Sequence, residues 1–217
     1  MRATEMRAVL CGAIVLLAAI AAAQPERDAA RDKNEKVADV LAALEVSSAS
    51  RIADVGAGDG FYSVRIARAM PASGRVMAVD VTEDVLARLR QRLEREQVTN
   101  VDITLGAFAS PKLSDETYDA ALIYNAYHEM TEYAPMLKGI FAALKPGGRL
   151  VMIEPIHDQK RKEDRAAQTK EHEISDDLTA EELQAAGFRI ARKDSAFRPF
   201  TDPRGTGAWW LVVAVKP

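Results

Sequence analysis

The chain has 217 residues, enough for one domain with a substantial buried core. Hydrophobic residues make up 48% and the formal net charge is -3, a balance that argues against a nucleic-acid footprint, which needs clustered Lys and Arg. Cys11 is the only cysteine, so the rest of the chain can build no thiolate nucleophile and no thiolate site for zinc or arsenic.

In chain order, "MRATEMR" carries Arg2 and Arg7 ahead of an uncharged run from Ala8 to Ala23 that ends in Ala21-x-Ala23. A basic start, an apolar stretch and a small-residue exit describe a secretory signal over residues 1–23, cut before Gln24. The alternative is an uncleaved membrane anchor through residues 8–23. Either way the domain is expected to be exported, with the periplasm as its compartment. Residues 24–34 read as a loose polar lead-in, and residues 35–217 as a single domain.

"NEKVADVLAALEV" has helical spacing, with Val37, Val40, Leu41 and Leu44 on one face. "RIADVG" is a short apolar run that stops at glycine, hence a buried strand. "GFYSVRIARAM" follows as a helix halted by Pro71. "GRVMAVDV" is a second strand, and "TEDVLARLRQRLEREQ" an amphipathic helix with Thr82 as its N-cap. "VDITLGA" and "YDAALIYNA" are the third and fourth strands. "YAPMLKGIFAALKPGG" reads as a helix closed by Pro146 and two glycines, and "RLVMIEP" as a fifth strand. The stretch from Gln159 to Glu173 is charged and favours helix, and "TAEELQAAGF" is a helix stopped by Gly187. Two β-rich segments, "FRIARKDSAF" and "AWWLVVAVKP", close the chain, joined by a loop with Pro and Gly.

Alternating strands and helices specify a parallel sheet covered on both faces. Ligands of such sheets sit beyond the carboxyl ends of the strands, where Gly56, Asp80, Gly106, Asn125 and Glu154 all fall. The loop after the first strand has the pattern Asp54-x-Gly56-x-Gly58-x-Gly60. A dinucleotide fingerprint would need a third glycine where Phe61 stands, which disfavours a nicotinamide-dependent dehydrogenase. Asp54 and Asp59 would repel a pyrophosphate but suit a ligand that carries an amine or sulfonium. Asp80, closing the second strand, can accept hydrogen bonds from a ribose diol.

Four segments in order, "IADVGAGDG", "VMAVDV", "YDAALIYNAYHEM" and "LKPGGRLVMIEP", resemble the motifs of class I S-adenosylmethionine-dependent methyltransferases. The resemblance covers about residues 35–217 and, with the N-terminal signal, is to a bacterial small-molecule subgroup. It implies an α/β fold, a Rossmann-like doubly wound sheet of seven strands with the last antiparallel, and S-adenosyl-L-methionine as cofactor. By the same resemblance Asp54, Gly56, Ala57 and Gly58, in the loop that Gly60 closes, would line the methionine end. Asp80 would hold the ribose, Val81 would pack on adenine, Gly106 and Ala107 would border its edge, and Asn125 would lie under the sulfonium. One departure is "GAFAS" after the third strand, where many members carry an acid for the adenine amine.

Methyl transfer is an in-line displacement that requires positioning and, for some nucleophiles, a base. "NAYH" is not the Asn-Pro-Pro-Tyr end of amino-methylating nucleic-acid enzymes, and the cysteine route to cytosine carbon is closed. A small-molecule acceptor remains. His128 and Glu129, just past the fourth strand, and His172, in a segment that caps the pocket in related folds, are the candidate catalytic residues. The bland reading of His128 is a loop histidine orienting Glu129. Tyr127 is either a second-rank site residue or packing, and His157, in a charged loop, is expected to be solvated. Glu154 and Asp158 offer no spaced ligand set, so no metal is expected. The alternative to an enzyme is an exported protein that keeps the fold and binds a nucleoside-like ligand without catalysis. No feature speaks to oligomeric state.

Overall fold

A computed structural model describes residues 29–71 and 73–217. The expected signal, with Cys11 and the cut before Gln24, lies outside the described residues. The described residues divide into two units at Asp39, with residues 29–39 in the first and Val40–Pro217 in the second. In the first, residues 29–34 are helical rather than a loose lead-in. Ala29, Ala30, Arg31 and Lys33 are strong helix formers, and Arg31 pairs with Glu35 one turn on, at 3.9 Å.

Helix α1 is Val37–Leu44, and the elements then run β1 (Arg51–Val55), α2 (Phe61–Ala69), β2 (Arg75–Asp80), α3 (Glu83–Arg95), β3 (Val101–Leu105) and β4 (Tyr118–Tyr124). A 3-10 turn, Tyr127–Glu129, precedes α4 (Tyr133–Ala143) and β5 (Leu144–His157). A second turn, Asp158–Lys160, leads to α5 (Arg165–Lys170), α6 (Asp176–Ala185), β6 (Arg189–Asp202) and β7 (Gly205–Val215). The seven strands form one sheet in the order β3-β2-β1-β4-β5-β7-β6, with β7 antiparallel to both neighbours. The expected fold class is therefore observed. Its strands are apolar because both faces are covered: Ile52, Val76, Leu122 and Val151 are all fully buried. The chain reverses its winding between β1 and β4, and a crevice opens there at the carboxyl ends. Among the described residues no helix is long and apolar enough to cross a membrane.

Several boundaries differ from expectation. Leu144 and Lys145 belong to β5, not to α4, because Leu144 already has extended backbone and Pro146 disfavours a helical Lys145. The bulge they make lets Leu144 pair with Tyr118 before Arg149 pairs with Ala120. The C-terminal strands are longer than expected, and Asp202 pairs with Gly205 across a two-residue turn of Pro203 and Arg204. Pro199 is tolerated because β6 is the sheet edge. The Gln159–Glu173 stretch is α-helical only in α5, where the Asp164 carboxylate accepts from the Ala167 amide at 2.9 Å. Helix α6 starts three residues before Thr179 because Ser175 caps it. Thr82 occupies the N-cap position of α3 without a side-chain cap bond; its own amide donates to Asp80 instead.

Candidate functional site

The crevice holds a cavity of about 420 Å³, a size suited to a small organic ligand. Its wall includes Gly56 and Gly58 from the loop after β1, Asp80 and Val81 from the end of β2, Phe108 after β3, and Asn125 and Glu129 after β4. The loop comes close to the β4 exit: a Cβ on Gly56 would lie 2.5 Å from that of Ala126. A Cβ on Gly58 would meet nothing within 4 Å, so this backbone faces open space that a side chain would fill. Asp80 Oδ2 accepts from the Gly58 amide at 3.1 Å, and Oδ1 from the Thr82 amide at 3.1 Å. Two carboxylate oxygens offer about four acceptor sites, so half of them remain for a ligand hydroxyl pair. Val81 and Phe108 are 37% and 68% exposed, apolar surface that a flat ring would cover. These residues suit S-adenosylmethionine, a nucleoside with a diol, a ring and a charged amino-acid arm.

Other members of the expected set lie off this wall. The Asp54 carboxylate points into the protein and accepts from Ser63 Oγ at 2.6 Å. Burial raises its pKa to about 6, against the Ser63 hydrogen bonds that pull it down. Ala57 packs with Leu86 and Leu89, Gly60 faces Leu89, and the amides of Gly106 and Ala107 bond back to Asp80 and Ser110. The segment after β3 reaches the cavity through Phe108 instead. Asp59 turns away to Arg92, at 3.4 Å.

Beyond β4 the chain is organised by Glu154, a fully buried carboxylate whose partners are not apparent from its place in the sequence. Its Oε1 accepts from the amides of Ala126 at 2.6 Å and Tyr127 at 2.5 Å, and its Oε2 bonds His128 Nδ1 at 2.6 Å. A carboxylate can only accept, so Nδ1 carries hydrogen and Nε2 faces outward. Glu129 Oε1 lies 3.6 Å from Nε2, and the His172 ring meets the His128 ring edge-on with centroids 5.6 Å apart. The three expected catalytic residues are thus gathered in one place. Burial pushes the His128 imidazolium pKa down, but the hydrogen bond and charge of Glu154, aided by Glu129, outweigh it and the net direction is up.

Tyr127 is packing: it is fully buried and its hydroxyl donates to Glu182 at 2.6 Å. His157 is not solvated. Its Nδ1 bonds Glu173 at 2.5 Å and its Nε2 meets Asp202 at 3.0 Å, both partners brought by the folding of distant segments. A second cavity of about 410 Å³ lies on this side, bordered by His172, Phe200 and Trp209. The signal for Glu154 was a lone acid inside the apolar run "VMIEPI".

Comparison with known proteins gives a consistent picture. Residues 46–194 match the family model described as a methyltransferase domain. Demethylmenaquinone methyltransferase of Geobacillus sp. (strain WCH70) is 26% identical over 116 residues, 54% of this chain and 50% of the relative. The Lactococcus lactis enzyme of the same name is 29% identical over 106 residues, 49% of this chain and 42% of the relative. The chain thus spans about half the length of the curated relatives it matches. A SAM-dependent methyltransferase structure from Aquifex aeolicus superimposes with a TM-score of 0.65 at 21% identity, covering 85% of this chain and 89% of that one. That likeness concerns the fold.

Proposed function

This chain belongs to the methyltransferase domain family, and from that premise we propose that it binds S-adenosyl-L-methionine in the β1–β4 crevice and methylates a small-molecule acceptor. The observation that carries the reading is the pairing of Asp80, with acceptor sites to spare, and the open backbone of Gly58 in one cavity. In this reading Asp80 holds the ribose diol, and Val81 and Phe108 cover the two sides of the adenine. Gly58 and Asn125 border the amino-acid arm, and Gly56 packs the loop against the β4 exit. When bound, the cofactor supplies an electrophilic methyl group. The chain's own part is to hold the acceptor in line and to keep its nucleophilic atom beside His128, Glu129 and His172. The relatives named for demethylmenaquinone support an acceptor of the small-molecule class.

Calorimetric titration of the full chain with S-adenosylmethionine tests the cofactor. Saturable binding that weakens about ten-fold or more in Asp80→Ala, the loss of a bidentate hydrogen-bonding partner, is the expected result. No binding to the unsubstituted chain overturns the reading. A second reading, a nucleoside-binding protein without catalysis, is favoured by the missing acid after β3, where Phe108 fronts the cavity. Labelled cofactor offered with a metabolite pool separates the two, since only an enzyme labels an acceptor. Export belongs to the same proposal, on the basic start and apolar run up to Ala23. Recovery of uncut chain from the cytosol would count against it.

A further inference from the structure

We propose that His128, Glu129 and His172 form a binding site for a divalent transition-metal ion beside the cavity. One ligand atom from each lies within 4.8 Å of the others. Three features make this more than a chance grouping. First, His128 is oriented as metal-binding histidines are: its far nitrogen, Nδ1, is held at 2.6 Å by the fully buried Glu154, which fixes Nε2 as the outward lone pair. Second, Nε2 has Glu129 Oε1 at 3.6 Å, too far for a good hydrogen bond but close to the separation of two ligands on one ion. Third, His172 is brought edge-on to His128 by a left-handed backbone, φ 59°, a conformation that a side chain of this kind adopts at some cost.

A tetrahedral ion with bonds of about 2.1 Å places its ligand atoms roughly 3.4 Å apart. Reaching that spacing requires inward rotation of Glu129 and His172, which are exposed, whereas His128 is buried and held by Glu154. Two imidazoles and one carboxylate favour zinc, iron, cobalt or nickel over magnesium and calcium, which prefer oxygen. Three protein ligands leave at least one position open, the mark of a site that also takes a substrate atom. Glu129 lines the first cavity and His172 the second, so that position has access to a ligand on either side. No such set surrounds Glu154 and Asp158 in the sequence, because the ligands come from a turn and a loop that only the fold brings together. If the methyl-transfer reading holds, the ion would bind the acceptor's oxygen and lower its pKa; metal binding itself does not rest on that reading.

The test is titration of metal-free full chain, with no added histidine tag, by cobalt(II), followed through its visible absorption. Expected are saturation at a single ion per chain, displacement by zinc and no response to magnesium. His172→Gly suits the left-handed backbone, so its melting temperature without metal should not fall, yet cobalt affinity should drop about ten-fold or more. Glu129→Gln should weaken binding likewise, and Glu154→Gln by about 10–100-fold through the orientation of His128. Absence of saturable binding, or binding that survives both His172→Gly and Glu129→Gln, overturns the proposal. Calorimetry with S-adenosylmethionine on the metal-free chain is read separately. Cobalt binding without cofactor binding defeats the methyl-transfer reading alone, and the reverse defeats the metal site alone.

Discussion

Gly58 and Gly60 both hold left-handed backbone, with φ of 56° and 81°, yet a methyl group at each meets different surroundings. At Gly60 it would lie 2.0 Å from Leu89 Cδ1, in a fully packed region, so Gly60→Ala combines backbone strain with overpacking. A loss of about 3–4 kcal/mol in urea unfolding is expected. At Gly58 the methyl meets nothing, so Gly58→Ala should cost only about 1–2 kcal/mol of backbone strain while filling cavity space. Calorimetry should then show cofactor affinity falling further for Gly58→Ala than for Gly60→Ala, the opposite order to stability. Asp54 is the other residue whose environment predicts a measurement. Its pKa is raised to about 6 by burial, from an ordinary value of 3.8, so the folded state holds the proton more tightly than the unfolded one. Stability is therefore greatest below about pH 4 for this group and declines as pH rises through about 6, by about 3 kcal/mol in all. Asp54→Asn removes the titration and keeps an oxygen for Ser63 Oγ. Its stability relative to the unsubstituted chain should rise between pH 4.5 and 7.5, read from paired urea titrations, and a difference flat with pH would contradict the assignment.

At the scale of elements, the Tyr127–Glu129 turn is held from two sides. Glu154 grips its amides from within, and Arg165 of α5 clamps it from without. The Arg165 guanidinium bonds Glu182 at 2.9 and 3.1 Å and the Met130 carbonyl at 3.1 Å, and lies 3.9 Å from the centroid of the Tyr133 ring. Arg165→Ala leaves the Glu182 carboxylate, 9% exposed, with Tyr127 as its remaining partner. A cost of about 2–3 kcal/mol is expected, less than for a fully buried pair because Arg165 keeps some solvent contact. The double variant Arg165→Met with Glu182→Leu should cost less than the sum of the two single changes, which a double-mutant cycle in urea would show. None of this clamp was legible in the sequence, whereas the strands that carry the turn were. Apolar runs ending in Gly or Pro announce a buried strand through local chemistry alone, and the placement of Asp80 and Gly58 follows from those ends. Glu154 meets partners 26 to 28 residues away, and His157 meets Glu173 and Asp202 from 16 and 45 residues away. A histidine among charged neighbours reads as solvated until the chain folds those acids around it. The same limit explains why the glycine loop was legible as a loop while its packing was not: Ala57 and Gly60 lie against Leu89, and the segment after β3 reaches the cavity through Phe108 rather than through Gly106 or Ala107.

For the molecule as a whole, the sheet order places the C-terminal strand β7 between β5 and β6, and this makes the end of the chain a support for the site. Trp209 and Trp210 alternate in side, as neighbours on a strand must. Trp210 is fully buried and its Nε1 donates to the Ile174 carbonyl at 2.7 Å. Ile174 also donates its amide to Pro155 at 3.2 Å, and Glu173 accepts from the His157 amide at 2.9 Å. The short segment that presents His172 is thereby tied to two strands immediately after the residue itself. Trp209, by contrast, stacks on Tyr124 with centroids 5.5 Å apart, under the Arg198 guanidinium, and borders the second cavity. Trp210→Phe removes one buried donor and leaves the Ile174 carbonyl short of a partner, a loss of about 1–3 kcal/mol. For a chain of this length that lowers the melting temperature by roughly 2–4 °C per kcal/mol. Trp209→Phe keeps an aromatic face on Tyr124 and breaks no hydrogen bond to the backbone, so its melting temperature should change by less than half as much. Hydrogen exchange should further separate them: the amides that follow His172 should exchange faster in Trp210→Phe and unchanged in Trp209→Phe. Equal protection in both variants would mean that the sheet does not hold this segment, and that the positioning of His172 comes from α5 and α6 alone.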